Sequence, residues 1–168
     1  MSDVQTLLKE IKDNDVTYID LRFTDPRGKW QHLAMDVRVM DEDMFADGIM
    51  FDGSSIEGWK AINESDMTLM PDVTSAVMDP FAAQSSMIIF CDVVEPSTGE
   101  GYSRDPRSTA KRAENYLNFS GIGDTAFVGP EAEFFVFDDV RFDTASHNTF
   151  FSIDQEEGPY NTGRHYDG

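Results

Sequence analysis

Apolar positions recur along this chain with two different periods, and the switches between them divide it into elements. Val4, Leu7, Leu8 and Ile11 stand at the spacing of one helical face, with Ser2 or Asp3 available as the cap and Asn14-Asp15 as the stop. From Thr17 to Phe23 the period drops to two: Ile19, Leu21 and Phe23 point one way, Tyr18, Asp20 and Arg22 the other. Asp25-Pro26-Arg27-Gly28 has proline second and glycine fourth, the residues a type I turn favours there, so residues 17–36 read as a hairpin returning through Trp30 to Met35. A short helix is predicted over Asp41 to Ala46, ending at Gly48. Strands are predicted over Met67 to Met70, Ala76 to Met78 and Met87 to Val94, separated by Pro71-Asp72 and Asp79-Pro80.

After Val94 the pattern lapses into Glu95-Pro96-Ser97-Thr98-Gly99-Glu100-Gly101, a polar run of turn formers that marks a domain boundary. Residues 1–102 form one α+β unit and residues 103–168 the beginning of another. Asp105-Pro106 opens a helix with a cap followed by proline at the first helical position. Ala110, Ala113, Tyr116 and Leu117 give it an apolar stripe, and Gly121 closes it. A strand is then predicted over Val128 to Phe137, punctuated at its start by Gly129-Pro130. Residues 143–168 are polar and show no clear period, so the second unit reads as cut off in mid-domain. No internal repeat and no low-complexity tract is visible.

Charge changes this picture more than composition does. There are 13 basic and 32 acidic residues, a net charge of −19, which opposes binding to a phosphate backbone or an anionic membrane surface. With 40% hydrophobic residues the chain is rich enough in apolar side chains to fold. The first residues carry no basic and apolar segments of a secretory signal, and no apolar run has the length of a membrane span, so the expected compartment is the cytoplasm. Cys91 is the single cysteine and sits in an apolar strand as a small core residue. His32 has no ligand at close spacing and reads as a surface or pairing residue.

Two places carry candidate chemistry. In the strand Val128 to Phe137, residues two apart share a face with Cα atoms roughly 6.5–7 Å apart, which puts Glu131, Glu133, Phe135 and Phe137 together. Two carboxylates beside aromatic rings are costly to desolvate unless a cation meets them, and hard divalent cations suit carboxylate oxygens. The alternative is that this end of the strand is simply solvated. In Ile49 to Trp59, Phe51 and Ile56 can anchor a loop whose centre, Asp52-Gly53-Ser54-Ser55, presents Asp52 and Ser55 outward. An ordinary turn uses the same residues.

Taken together, Phe51-Asp52-Gly53-Ser54-Ser55-Ile56 and Gly129-Pro130-Glu131-Ala132-Glu133-Phe134-Phe135 resemble the N-terminal part of bacterial type I glutamine synthetase. Leu21-Arg22-Phe23-Thr24-Asp25, Asn63-Glu64-Ser65-Asp66-Met67, Arg104-Asp105-Pro106-Arg107 and Ala110-Lys111-Arg112-Ala113-Glu114 extend the resemblance colinearly over essentially the whole chain. It implies a β-grasp domain followed by the truncated start of a catalytic α/β domain. It implies a ligase that makes glutamine from glutamate, ammonia and ATP through a γ-glutamyl phosphate, with Mg2+ or Mn2+. By position, Glu131 resembles a ligand of the metal bridging the nucleotide phosphates, and Glu133 a ligand of the metal nearer glutamate. Asp52 resembles the residue that binds ammonium and takes its proton; Ser55 would orient Asp52 or its loop, and Trp59 would line the same site. The resemblance also implies a ring-shaped homo-oligomer, a dodecamer, in which the loop of one subunit completes its neighbour's site. The remaining metal ligands, substrate-binding arginines and nucleotide-binding segments of the family would lie beyond Gly168. Two other readings stand beside this one: a sister ligase that uses an organic amine, and a β-grasp module that only packs into an oligomer.

Overall fold

A computed structural model describes residues 3–61, 64–156 and 158. The chain forms two compact units, Met1–Ala126 and Phe127–Gly168, and each is described by itself.

The first unit is built on one mixed sheet. Helix α1 (Asp3–Asp13) leads into β1 (Tyr18–Thr24) and β2 (Trp30–Asp36); then come α2 (Glu42–Asp47), β3 (Ile49–Asp52), β4 (Asp66–Pro71), β5 (Val77–Met78), β6 (Ser86–Val94) and α3 (Pro106–Ser120). The capping position Ser2 lies outside the described residues. Strand order is β2-β1-β6-β4-β3, with β5 following β4 along β6. The β1–β6 pair is parallel and the other ladders are antiparallel. The period of two decides which face is core: Ile19, Leu21 and Phe23 of β1, Met67 and Leu69 of β4, and Met87, Ile89, Cys91 and Val93 of β6 are buried with Leu7 and Ile11 of α1 and Met44 and Phe45 of α2. The predicted turn is present, with the Gly28 amide donating to the Asp25 carbonyl at 3.0 Å and Gly28 at φ 84°. Cys91 is 1% exposed, and burial, then the charge of Asp92, pushes its thiol up to about 12. His32 is a pairing residue: its Nδ1 lies 2.6 Å from Asp20 Oδ1 across the hairpin.

Short polar side chains fix the element ends. Asp41 caps α2 by accepting from the Met44 amide, and Asp105 caps α3 by accepting from the Arg107 and Ser108 amides. Gly121 ends α3 in the left-handed conformation. The apolar stripe of α3 is largely uncovered, with Tyr116 68% exposed. Charge rather than apolar packing ties the helix to the sheet: Arg107 bonds Asp92 at 2.8 Å and also meets Asp72, and Lys111 meets Asp92. The first compact unit includes this helix and runs to Ala126.

Gly48 turns the chain from α2 into β3 at φ 74° and ψ −172°, a region open to little but glycine. A Cβ there would stand 2.5 Å from both Met70 Sδ and Thr68 Cγ2 and 2.6 Å from the Leu69 carbonyl oxygen. Gly48→Ala is therefore expected to destabilise the chain by about 2–4 kcal/mol. The check is a lowered urea midpoint at unchanged slope.

In the second unit the structure corrects the sequence reading. Val128 to Phe137 joins no ladder among the described residues. A strand exists only against a neighbour, and the two strands available, β7 (Asp139–Ala145) and β8 (Asn148–Asp154), pair with each other. Alternation survives locally: the Phe135 and Phe137 rings stack at 5.9 Å with planes 7° apart. The β7–β8 hairpin itself falls largely in a stretch read as lacking period. Its register sets Val140 opposite Ile153 and Phe142 opposite Phe151 across a two-residue turn at Ser146-His147. Residue 157 and residues 159–168 lie outside the described residues.

Candidate functional site

The Asp52 loop owes its shape to four inward residues. Phe51 packs against the core, Gly53 is buried, and Ile56 and Trp59 are 8% and 6% exposed. The Gly53 amide donates to the Ser65 carbonyl at 2.7 Å, and a Cβ on Gly53 would stand 2.5 Å from Met67 Cγ. Glycine is thus what allows the turn to lie flat on β4. The Ile56 amide closes the turn on the Gly53 carbonyl at 3.2 Å. Asp52 and Ser55 remain exposed.

Asp52 Oδ1 accepts from the Ser54 amide at 2.8 Å and from the Ser54 hydroxyl at 2.6 Å. The Ser54 hydroxyl, then the Ser54 amide, hold this carboxyl below the usual carboxylate range; partial desolvation opposes them and Ser65 adds to them. The loop therefore presents an ionised carboxylate at neutral pH, in an orientation set by its own backbone. Ser54 was not singled out in the sequence, where Ser55 was given the orienting role. The signal was there: an Asp two residues before a Ser or Thr makes an Asx turn, as Asp72 does with Thr74 at 3.0 Å.

Trp59 forms the floor beneath the loop and does not line its surface. Its ring meets Phe23 at 5.6 Å, Phe51 at 6.2 Å and Tyr102 at 5.4 Å, and its Nε1 has no partner among the described residues. Beside it Lys60 binds Glu95 at 2.7 Å, in an open recess of about 650 Å3 that Glu64, Ser65 and Asp66 also line. Asp66 is the β4 register partner of Asp52, so the recess and the loop share one end of the sheet.

Glu131 and Glu133 belong to the second unit and are both exposed. Neither lines the recess of about 410 Å3 formed by Phe134, Phe135, Val136, Asp138, Gln155 and Glu156. No group of three or more potential ligands that could hold a metal ion occurs among the described residues. The donor chemistry nevertheless fits a hard cation: magnesium is commonly held by one or two carboxylates, with water and substrate phosphates completing the shell. No described helix is long and apolar enough to cross a membrane.

Comparison with known proteins bears on both regions. Residues 15–96 match the family model described as glutamine synthetase, beta-Grasp domain, and residues 103–167 match glutamine synthetase, catalytic domain. The chain is 63% identical over 168 residues to a glutamine synthetase of Bradyrhizobium diazoefficiens, covering all of this chain and 36% of the relative. It is 64% identical over 167 residues to that of Rhizobium meliloti, covering 99% of this chain and again 36% of the relative. The cryo-EM structure of Plasmodium falciparum glutamine synthetase superposes with a TM-score of 0.71 at 23% identity, over 94% of this chain and 30% of that one. The chain thus spans about 36% of the length of these curated relatives. With a β-grasp sheet, the opening of a catalytic domain and both motifs in colinear order, the chain belongs to the glutamine synthetase family.

Proposed function

We propose that this chain is part of an ATP-dependent glutamate–ammonia ligase. In the first step the γ-carboxylate of glutamate attacks the terminal phosphorus of ATP, forming an acyl phosphate and releasing ADP. In the second, ammonia displaces phosphate to give glutamine. The observation that carries this reading is Asp52: an exposed, ionised carboxylate on a turn whose flanks are buried in the core. An anion fixed in this way attracts ammonium and can accept the proton that must leave before nitrogen becomes nucleophilic. Ser54 holds the carboxylate, and Ser55 offers a second hydroxyl on the same outward face.

Glu131 and Glu133 would hold Mg2+ or Mn2+, which in such a site neutralises charge on the transferring phosphoryl group. The exposure of both glutamates and of the Asp52 loop suits a ring of subunits, a dodecamer, in which one protomer's loop completes the site of the next. The acidity of the chain disfavours nucleic acid and anionic membranes as partners, in keeping with a cytoplasmic enzyme. The test is glutamine formation. The full-length enzyme is expected to make it from ATP, glutamate and ammonium in preference to small organic amines. The 168-residue chain is expected to make none, and turnover by that chain alone would overturn the assignment of the remaining machinery to other segments.

A further inference from the structure

The Asp52 loop is fixed differently at its two ends. Its near end is held by the β3–β4 ladder and by the Gly53 amide on the Ser65 carbonyl. Its far end, Gly58-Trp59, belongs to no strand. There, besides the Trp59 amide on the Ile56 carbonyl at 3.1 Å, the hold comes from the segment that joins the two family matches, between residues 96 and 103 and just beyond. Arg104 Nη1 donates to the Gly58 carbonyl at 2.6 Å and to the Trp59 carbonyl at 3.2 Å, reaching back 46 residues. Among the described residues no other donor reaches these carbonyls. Two residues earlier, Tyr102 is 5% exposed and meets the Trp59 ring edge-on at 5.4 Å. Lys60 lies 5.3 Å from the centre of the Tyr102 ring and binds Glu95. The Trp59 ring continues to Phe51, the residue before Asp52.

We propose that Arg104 is a positioning residue for Asp52. Its guanidinium clamps the far end of the loop, and the Trp59–Phe51 contact carries that constraint to the strand end from which Asp52 projects. Helix α3 begins two residues after Arg104 and is tied to the sheet by its Asp105 cap and by Arg107. The clamp therefore stands on a fixed base, and arginine suits it, since one nitrogen of its rigid, planar guanidinium directs its two hydrogens at the two carbonyls together. The proposal rests on the reading of Asp52 as the ammonium-binding group.

Misplacing a reacting group by about 1 Å costs on the order of 100-fold, so loss of one of several anchors is expected to cost roughly tenfold. In the full-length enzyme Arg104→Ala should raise KM for ammonium by that factor, with KM for glutamate and ATP unchanged. Amide exchange at Ser54 and Ile56 should quicken, and Arg104→Lys, which keeps the charge on a shorter side chain without the rigid planar group, should fall between. Should Arg104→Ala fail to fold, the lysine variant carries the same comparison. Unchanged exchange at Ser54 and Ile56 overturns the clamp whatever Asp52 does. Faster exchange with unchanged KM for ammonium overturns its link to the reaction. Asp52→Ala, measured in parallel, reports separately whether Asp52 handles ammonium at all.

Discussion

Asp52→Ala in the full-length enzyme is expected to lower kcat/KM for ammonium by roughly 10²–10⁴-fold, the range of a lost general base, while glutamate and ATP still bind. The substitution removes the only charge on the outward face of the Asp52-Gly53-Ser54-Ser55 turn and leaves Gly53, Ile56 and Trp59 in their buried places. Stability should fall only modestly, by about 0.5–1 kcal/mol, since Asp52 is exposed and what it loses is the pair of bonds from Ser54. Asp52→Asn keeps the shape and the bond from Ser54 but cannot take a proton, so it should fail nearly as badly. Ser54→Ala separates charge from orientation. The folded-state pKa of Asp52 is depressed, so the ionised form persists as pH falls until that lowered value is reached, and without the Ser54 hydroxyl it should be lost at higher pH. Measuring kcat/KM for ammonium at neutral pH for the Asp52 variants, and following the Asp52 carboxyl by NMR from pH 2 to 6 with and without the Ser54 hydroxyl, checks all three variants, with urea midpoints alongside. Unaltered ammonium use by the alanine variant would remove the observation on which the functional reading stands.

What could be read from the sequence was local. β1 declared itself by alternation, the 25–28 turn by its proline and glycine, and α3 by Asp105-Pro106 at one end and Gly121 at the other. Each of these signals lies within a few residues of the structure it produces. The strand predicted over Val128 to Phe137 failed for a different reason: its apolar pattern is real, but a strand also needs a partner, and none pairs with it among the described residues. The β7–β8 hairpin went unread because Ser146-His147 lacks glycine or asparagine and because the adjacent Phe150 and Phe151 break the alternation. The parallel β1–β6 pairing, the hold of Arg107 on Asp92 and that of Arg104 on Gly58 join residues far apart in the chain, where periodicity is silent. At the site, the outward placement of Asp52 was legible and the identity of its partner was not. Two adjacent serines look alike until the backbone shows that the side chain two residues beyond Asp52 reaches it.

The second large effect is expected at Glu131 and Glu133, and here two readings of the same residues predict opposite results. Both side chains are exposed, in a chain whose net charge is −19. If they were only solvated surface, Glu131→Gln and Glu133→Gln would be neutral, within about 0.5 kcal/mol, or slightly stabilising through relief of repulsion. If they are ligands, the amides keep the size and lose the negative charge that a hard divalent cation requires. Each single variant should then raise the metal concentration for half-maximal activity, and the double variant should lower kcat by at least about 10²-fold, since charge on the phosphoryl group goes unbalanced. The 168-residue chain, holding only these two carboxylates of the proposed set, should bind Mg2+ or Mn2+ weakly, and the double variant more weakly still. Titrating metal against full-length activity, with a urea midpoint for each variant, decides between the readings. Lost activity at an unchanged midpoint assigns the glutamates to the metal; unchanged activity returns them to the solvent.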